Sequence, residues 1–244
     1  MNKIIHLASI SSTNIYANKI LKESTPENGT VIIADNQTSG RGHDKNKWES
    51  QDKMNLTFSL IYYPVFLPII KQFYLSKCIS IGILNYLKEY SNNISIKWPN
   101  DIYIGNKKIA GILIENSIRG NSLLNSIIGI GLNINQKKFL SDAPNPISLY
   151  QLSNKEYNLK TELSKLINSI NTYYAKLKNK EYSEMDNLYF SNLYRINKYF
   201  RYKDKDGIFE GKIIGISEFG YLQIETKEKI IKEYDFKEIQ FLDI

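Results

Sequence analysis

The stretch that most constrains this chain runs from Lys97 to Glu115: Lys-Trp-Pro-Asn-Asp-Ile-Tyr-Ile-Gly-Asn-Lys-Lys-Ile-Ala-Gly-Ile-Leu-Ile-Glu. An apolar strand over 94–96 delivers Lys97 and Trp98 to Pro99, and proline ends ladder pairing because it has no N–H to give. The polar pair Asn100 and Asp101 therefore sits at a strand exit. Gly105-Asn106 makes a short turn, and the chain returns through Lys107 and Lys108 into a second strand over 109–115. Side-chain alternation puts Lys108, Ala110 and Ile112 on one face of that strand, and Ile109, Gly111 and Leu113 on the other. A strand-borne lysine beside an apolar wall keeps its charge in a partly dry site, where it counts for more than in water; that setting suits a phosphate. By itself, a Gly-Asn-Lys-Lys turn is also what a solvated surface hairpin contains.

Three other segments carry polar residues where chemistry can use them. Ser12, Thr13 and Asn14 follow a short strand over 4–7 and precede a helix bearing Ile15, Ala17, Ile20 and Leu21; they serve as helix caps or as ligand contacts. A β-branched strand over 30–34 leads into a long loop over 35–53 holding Gln37-Thr38-Ser39-Gly40-Arg41-Gly42 and then Trp48. Its glycines permit close backbone approach, and Arg41 offers a permanently charged fork for carboxylate or phosphate oxygens. A strand over 126–134 is interrupted by Gly129 and Gly131, where a ligand or a neighbouring backbone can come close, and it ends in Asn133.

Together, Trp-Pro-Asn-Asp with Lys-Ile-Ala-Gly-Ile-Leu-Ile-Glu, the Gly-Arg-Gly loop, Ser-Thr-Asn and Gly-Ile-Gly-Leu-Asn closely resemble the motifs of biotin protein ligases, in that family's order. The resemblance is close over 4–135 and general beyond. It implies an α+β fold, with a mixed β-sheet packed with helices as in class II aminoacyl-tRNA synthetases, followed by a small SH3-like β-barrel. The expected division is 1–195 and 196–244. The implied activity is ATP-dependent formation of biotinyl-5′-AMP and transfer of biotin to a lysine of a biotin carboxyl carrier protein, with MgATP as co-substrate.

By the same resemblance, Lys108 and Arg41 carry catalysis. Ser12, Thr13, Asn14, Gln37, Gly40, Arg41, Gly111, Ile112, Gly129 and Gly131 meet biotin. Arg41, His43, Trp48, Asn100, Asp101, Lys108 and Asn133 meet the nucleotide, with Trp48 offering its face to adenine. Asp101 and Asn100 either orient Lys108 or meet Mg²⁺, whose preference for hard oxygen ligands suits them. Family members commonly carry further arginines after Gly-Arg-Gly, whereas this chain has His43-Asp44-Lys45-Asn46-Lys47 before Trp48. Lys45 or Lys47 then supplies charge as a point rather than a fork. Two alternatives are a lipoate ligase of the same fold and a non-catalytic biotin-binding module.

Composition narrows the field. With 244 residues, 42% hydrophobic and 23% charged, the chain suits one substantial core and a smaller second domain. No apolar run approaches the roughly 20 residues needed to span a bilayer, and no signal-peptide pattern opens the chain, so a cytoplasmic location is expected. The net charge of +7 invites a nucleic-acid partner, but lysines alternate with acids, as in Lys203-Asp204-Lys205-Asp206, which marks a solvated surface. Some ligases of the family carry an N-terminal DNA-binding domain; motifs beginning by Ser12 leave no room for one, and sequence-specific DNA binding is not expected. A monomer or weak homodimer is expected. The lone Cys78 excludes an internal disulfide or a cysteine-rich metal site, and its apolar helical setting makes it a small core residue.

The remaining pattern predicts a buried strand over 56–63, an apolar helix over 69–90, a helix capped by Thr161 with Leu163, Leu166, Ile167 and Ile170 inward, and a helix over 182–194. Five short strands then follow, over 199–202, 208–216, 221–225, 230–234 and 238–242.

Overall fold

The β-branched runs of the first 135 residues pair into one sheet. In the computed structural model, which describes residues 2–42, 46–141 and 145–242, its strands are β1 (Ile4–Ile10), β2 (Thr30–Gln37), β3 (Leu56–Tyr62), β4 (Ile94–Lys97), β5 (Asp101–Ile104), β6 (Lys107–Arg119) and β7 (Ser122–Leu132). Their spatial order is β1-β2-β3-β7-β6-β5-β4, with β1 parallel to β2 and the other neighbours antiparallel.

Alternation along the strands gives the sheet two apolar faces. Helix α1 (Thr13–Glu23) covers one, where Ala17 packs with Ile32, Ile61 and Ile127. On the other face lies the main core, in which α2 (Phe73–Leu87) and α4 (Leu159–Lys178) bury Leu75, Ile79, Leu166 and Ile170 together with Phe58, Leu60, Ile128 and Ile130. Cys78 is fully buried there, and burial pushes its thiol up, away from the reactive thiolate. A short helix, α3 (Leu149–Ser153), follows β7, and α5 (Tyr182–Ser191) packs on α2.

The chain then enters a second, all-antiparallel sheet of β8 (Tyr199–Asp204), β9 (Gly207–Ile216), β10 (Leu222–Thr226), β11 (Ile231–Tyr234) and β12 (Gln240–Phe241), ordered β11-β10-β9-β8-β12. Trp98 locks this SH3-like unit to the first sheet: its indole N–H donates to the Gly220 carbonyl at 2.8 Å, and its ring lies 5.2 Å from that of Phe236. Among the described residues no helix is long and apolar enough to cross a membrane.

Several expectations are corrected. The segment after Pro99 is a strand of its own, β5, so the region from 94 to 119 has three strands rather than two. The apolar helix is a 3₁₀ turn over Ile69–Lys71 followed by α2. Asn158, not Thr161, caps α4: its side chain accepts from the Thr161 amide, which is what an N-cap supplies to the third helical residue. Helix α3 was not foreseen; its five residues are too few for a periodic pattern, though Ser148 and Gln151 form a complete capping box.

At Gly82 a Cβ would stand 2.9 Å from the Ile170 Cα, so α2 and α4 approach through that gap. Gly82→Ala is expected to lower stability by up to about 2 kcal/mol in denaturant unfolding, overpacking of roughly 1–3 kcal/mol being offset in part by a helix-propensity gain of about 1 kcal/mol.

Candidate active site

Register fixes which side chains share the α1 face. Asp101 of β5, Gly111 of β6, Gly131 of β7 and Thr57 of β3 lie in one cross-strand row. The next row on that face is Leu113, Gly129 and Ser59, and the third is Glu115, Ile127 and Ile61. This face therefore changes along its length from a charged, glycine-floored end to an end under α1 where Ile127 and Ile61 lie beside Glu115.

Lys108 reaches the charged end through a bulge. Ile102 pairs with Ala110 but Tyr103 pairs with Lys108, which leaves Ile109 as an extra residue in β6 and shifts the alternation by one. Lys108 thus shares a face with Gly111, not with Ala110 and Ile112 as strict alternation predicts; its Nζ and Cε lie 3.4 Å from where a Gly111 Cβ would stand. The Lys108 Nζ is 2.7 Å from the Asp101 carboxylate, with both side chains mostly buried. Backbone hydrogen bonds from the Lys108 amide to the Asn145 carbonyl, and from the Ile147 amide to the Lys108 carbonyl, fix the strand there.

Asn100 braces the turn that presents Asp101. Its Nδ2 donates to the Ile112 carbonyl at 2.7 Å, while its own carbonyl accepts from the Ile112 amide at 2.9 Å. Behind the turn, burial lowers the pKa of Lys97, whose Nζ lies 3.1 Å from the Tyr103 hydroxyl.

At the other end of the site Ser12, Thr13 and Asn14 are buried. Ser12 stands at the N-cap position of α1, but its side chain makes no capping bond. The Thr13 amide donates to Gln37 Oε1 at 2.8 Å, and the Ser59 hydroxyl lies 2.7 Å from both Thr13 Oγ1 and Asn14 Oδ1. Asn14 is seated on Gly129, where a Cβ would come within 2.4 Å of its Oδ1, and its Nδ2 donates to Glu115 Oε2 at 2.7 Å. Glu115 Oε1 also takes Arg41 Nη1 at 3.1 Å. Sequence reasoning missed Ser59 and Glu115 as site residues. The available signals were a serine inside the apolar run of β3 and the carboxylate that closes the central motif.

The glycine-rich loop folds back over the sheet. The Trp48 amide donates to the Gly40 carbonyl, Gly42 donates to Asn46, and Trp48 lies on the glycine floor: a Gly131 Cβ would come within 2.2 Å of its Cε2. The indole Nε1 is buried without a partner, and the Lys108 ammonium stands 5.7 Å from the ring centroid. With Trp48 in place, the cavity bounded by Ser12, Gln37, Arg41, Asp101, Lys108 and Gly131 has a volume of about 50 Å³. Ligand sites run to hundreds of cubic ångströms, and here the indole fills the glycine floor. His43 and Lys45 lie outside the described residues.

Two of the expected nucleotide contacts already have partners within the protein. Asn133 is buried outside that cavity, its Nδ2 donating to the Ile147 carbonyl at 3.0 Å, so the end left over is an acceptor without a partner. An acceptor suits an amino or hydroxyl group, not a phosphate oxygen. Asp101 is engaged by Lys108, and no group of three or more His, Cys, Asp or Glu able to hold a metal occurs among the described residues. The donor set therefore fits a cation carried in by phosphates better than a resident ion.

Residues 6–133 match the biotin/lipoate A/B protein ligase family, and residues 200–242 match the biotin protein ligase C-terminal domain. The chain belongs to that ligase family. It is 31% identical over 237 residues to the bifunctional ligase/repressor BirA of Bacillus subtilis, covering 95% of this chain and 72% of the relative. It is 26% identical to the human biotin–protein ligase, covering 93% of this chain and 32% of that protein. Among solved structures, the biotin protein ligase of Aquifex aeolicus in complex with biotin and ATP superposes with a TM-score of 0.80 at 30% identity, covering 98% of both chains.

Two outcomes are expected from this geometry. Gly131→Ala should eject the Trp48 indole while leaving the fold intact, seen as a red shift of tryptophan emission because Trp98 remains buried; an unchanged spectrum contradicts the packing. The second concerns Glu49, which accepts from Gln136 Nε2 and from the amides of Leu140 and Ser141, tying the loop to the segment after β7. Burial raises its pKa, but the hydrogen bonds, led by that of the Ser141 side chain, outweigh it and lower the value overall. A lowered carboxylate stabilises above the ordinary glutamate range and loses that contribution as pH falls through its folded value. The Leu140 amide resonance should therefore stay constant across the neutral range and move only in acid, below the ordinary glutamate range.

Proposed function

We propose that the chain works as an ATP-dependent biotin–protein ligase with a catalytic unit over 1–195 and a C-terminal unit over 196–244. The observation that carries this reading is the Lys108–Asp101 pair beside a glycine floor, in line with a neutral cradle formed by the buried Thr13, Asn14 and Ser59 with the half-buried Gln37. Biotin has both parts this arrangement serves: a neutral cyclic urea that needs donors and acceptors, and a carboxylate that must be joined to phosphorus.

In the first step a biotin carboxylate oxygen attacks the α-phosphorus of MgATP, a new P–O bond forms, and the bond to pyrophosphate breaks. Lys108 lies between the two reacting groups and stabilises the charge that builds on the phosphoryl oxygens. Arg41 leaves Glu115 for the phosphate, to which its fork bonds with charge assistance. Asp101 orients Lys108 until the phosphates arrive. Trp48 lifts off Gly111 and Gly131, admitting the ligand, and offers its ring to the adenine. Magnesium enters with the nucleotide.

In the second step a lysine amine of a biotin carboxyl carrier protein attacks the acyl carbon and AMP departs with the carboxylate oxygen. The enzyme mainly positions the two partners. A cytoplasmic location fits this acceptor.

Lipoate shares the chemistry and the wider family includes its ligases, so substrate choice needs a direct test. Pyrophosphate release should depend on biotin and not on lipoate; release with lipoate alone overturns the substrate assignment, and release with neither overturns the ligase reading. Lys108→Ala is expected to slow biotinyl-adenylate formation by about 100-fold or more, a few kcal/mol of barrier, with unfolding unaltered. A near-normal rate in that variant removes Lys108 from the chemistry.

A further inference from the structure

We propose that Glu115 is a positioning residue that fixes the hydrogen-bond polarity of the neutral end of the site, and so selects the ligand's urea group; the proposal rests on the ligase reading above. An ionised carboxylate only accepts. Glu115 Oε2 is 2.7 Å from Asn14 Nδ2, so the amide must turn its NH₂ to Glu115 and its Oδ1 to the opposite side. There it meets the Ser59 hydroxyl at 2.7 Å.

Ser59 has one proton and two neighbours within 2.7 Å, Asn14 Oδ1 and Thr13 Oγ1. A carbonyl oxygen cannot donate, so the Ser59 proton goes to Asn14, and the one Thr13 hydroxyl proton is left to the Ser59 oxygen or to Gln37 Oε1 at 3.2 Å. Gln37 is oriented separately: its Oε1 accepts from the Thr13 backbone amide at 2.8 Å and from the Thr13 hydroxyl at 3.2 Å. The Gln37 amide is thereby held with its NH₂ as the end offered to the cavity it lines. The Asn14 amide and the Ser59 and Thr13 hydroxyls can each be read in two directions, and Glu115 is the ionised group that sets the first of them. Asn14, Ser59 and Thr13 are all buried, so water cannot supply an alternative partner when the direction is wrong.

Packing reinforces the choice. Gly129 lets Asn14 sit against the sheet, and Glu115 lies two residues beyond Leu113 on the same strand, next to the floor on which the ligand would rest. The second carboxylate oxygen holds Arg41 at 3.1 Å, so one residue orders the neutral contacts and keeps the arginine at the edge of the site. A carboxamide at 115 has the same shape but can present either its oxygen or its NH₂. It therefore leaves Asn14 held in its orientation only by the longer 3.4 Å bond from Nδ2 to the Leu113 carbonyl, and the direction of the chain is weakened.

The test uses the full chain and Glu115→Gln. Biotin affinity is read by calorimetry without nucleotide, and KM for biotin and for MgATP by pyrophosphate release. The variant is expected to bind biotin about tenfold more weakly, with KM for biotin raised to match and KM for MgATP unchanged or lower because Arg41 has lost a competitor. A general packing defect would instead move both constants together with the unfolding temperature. Wild-type biotin affinity in a folded Glu115→Gln variant overturns the proposal alone, whereas wild-type protein that neither binds biotin nor releases pyrophosphate overturns the ligase reading and this proposal with it. If Glu115→Gln does not fold, Ser59→Ala interrupts the same chain without touching Arg41: weaker biotin binding with an unchanged KM for MgATP supports the directed chain, and unaltered biotin binding overturns it.

Discussion

The ion pair between Lys108 and Asp101 depends on one extra residue in β6. Without the bulge at Ile109, Lys108 would share its face with Ala110 and Ile112, which are buried on the core side of the sheet. An ammonium there would have no carboxylate within reach and a large desolvation penalty. With the bulge, it crosses to the α1 face, lies over Gly111 and meets Asp101 at 2.7 Å. Asn100 then matters for position: by bonding both backbone groups of Ile112, it holds the turn that sets Asp101 opposite the lysine.

Arg41 and Lys108, which line the cavity, are held by pairs of different character. Arg41 and Glu115 are half exposed, and such a pair contributes about 0.2–1 kcal/mol. It is readily exchanged for a phosphate, whose oxygens give the guanidinium charge-assisted bonds. Lys108 and Asp101 are more buried, so their alignment persists as part of the framework. The neutral cradle is tighter still, with Thr13, Asn14 and Ser59 in a closed hydrogen-bond chain. The site thus grades from a rigid polar end to a displaceable charged end. Trp48 lies across the floor between them.

Much of this was legible in the sequence because the motifs name residue types whose chemistry is narrow. A lysine, an Asn-Asp pair and a glycine-spaced strand indicated phosphate chemistry, and the strands of both sheets followed from β-branched alternation. The face of Lys108 was not legible, because a bulge inserts one residue without changing the composition of the run. Asn133 is expected to meet the nucleotide, and folding commits its Nδ2 to the Ile147 carbonyl while Oδ1 stays unpartnered; a local motif cannot show which end of a side chain folding consumes. Ser59 and Glu115 were missed for a related reason: each acts through a partner 45 or 101 positions away in sequence, and that distance closes only when β3, β6 and α1 come together. Trp48 was read as a nucleotide contact, and nothing local indicated that its ring would cover the glycines.

The central claim is that the bulge places Lys108 to meet a phosphate once Trp48 leaves the glycine floor. A crystal structure of the protein with biotinyl-5′-AMP tests it most directly. The account requires the Lys108 Nζ within hydrogen-bonding distance of a phosphate oxygen, the Trp48 ring displaced from Gly131, and the urea in contact with the Thr13–Gln37 end. An adenylate bound with Trp48 still on Gly131 and Lys108 paired only with Asp101 would contradict it.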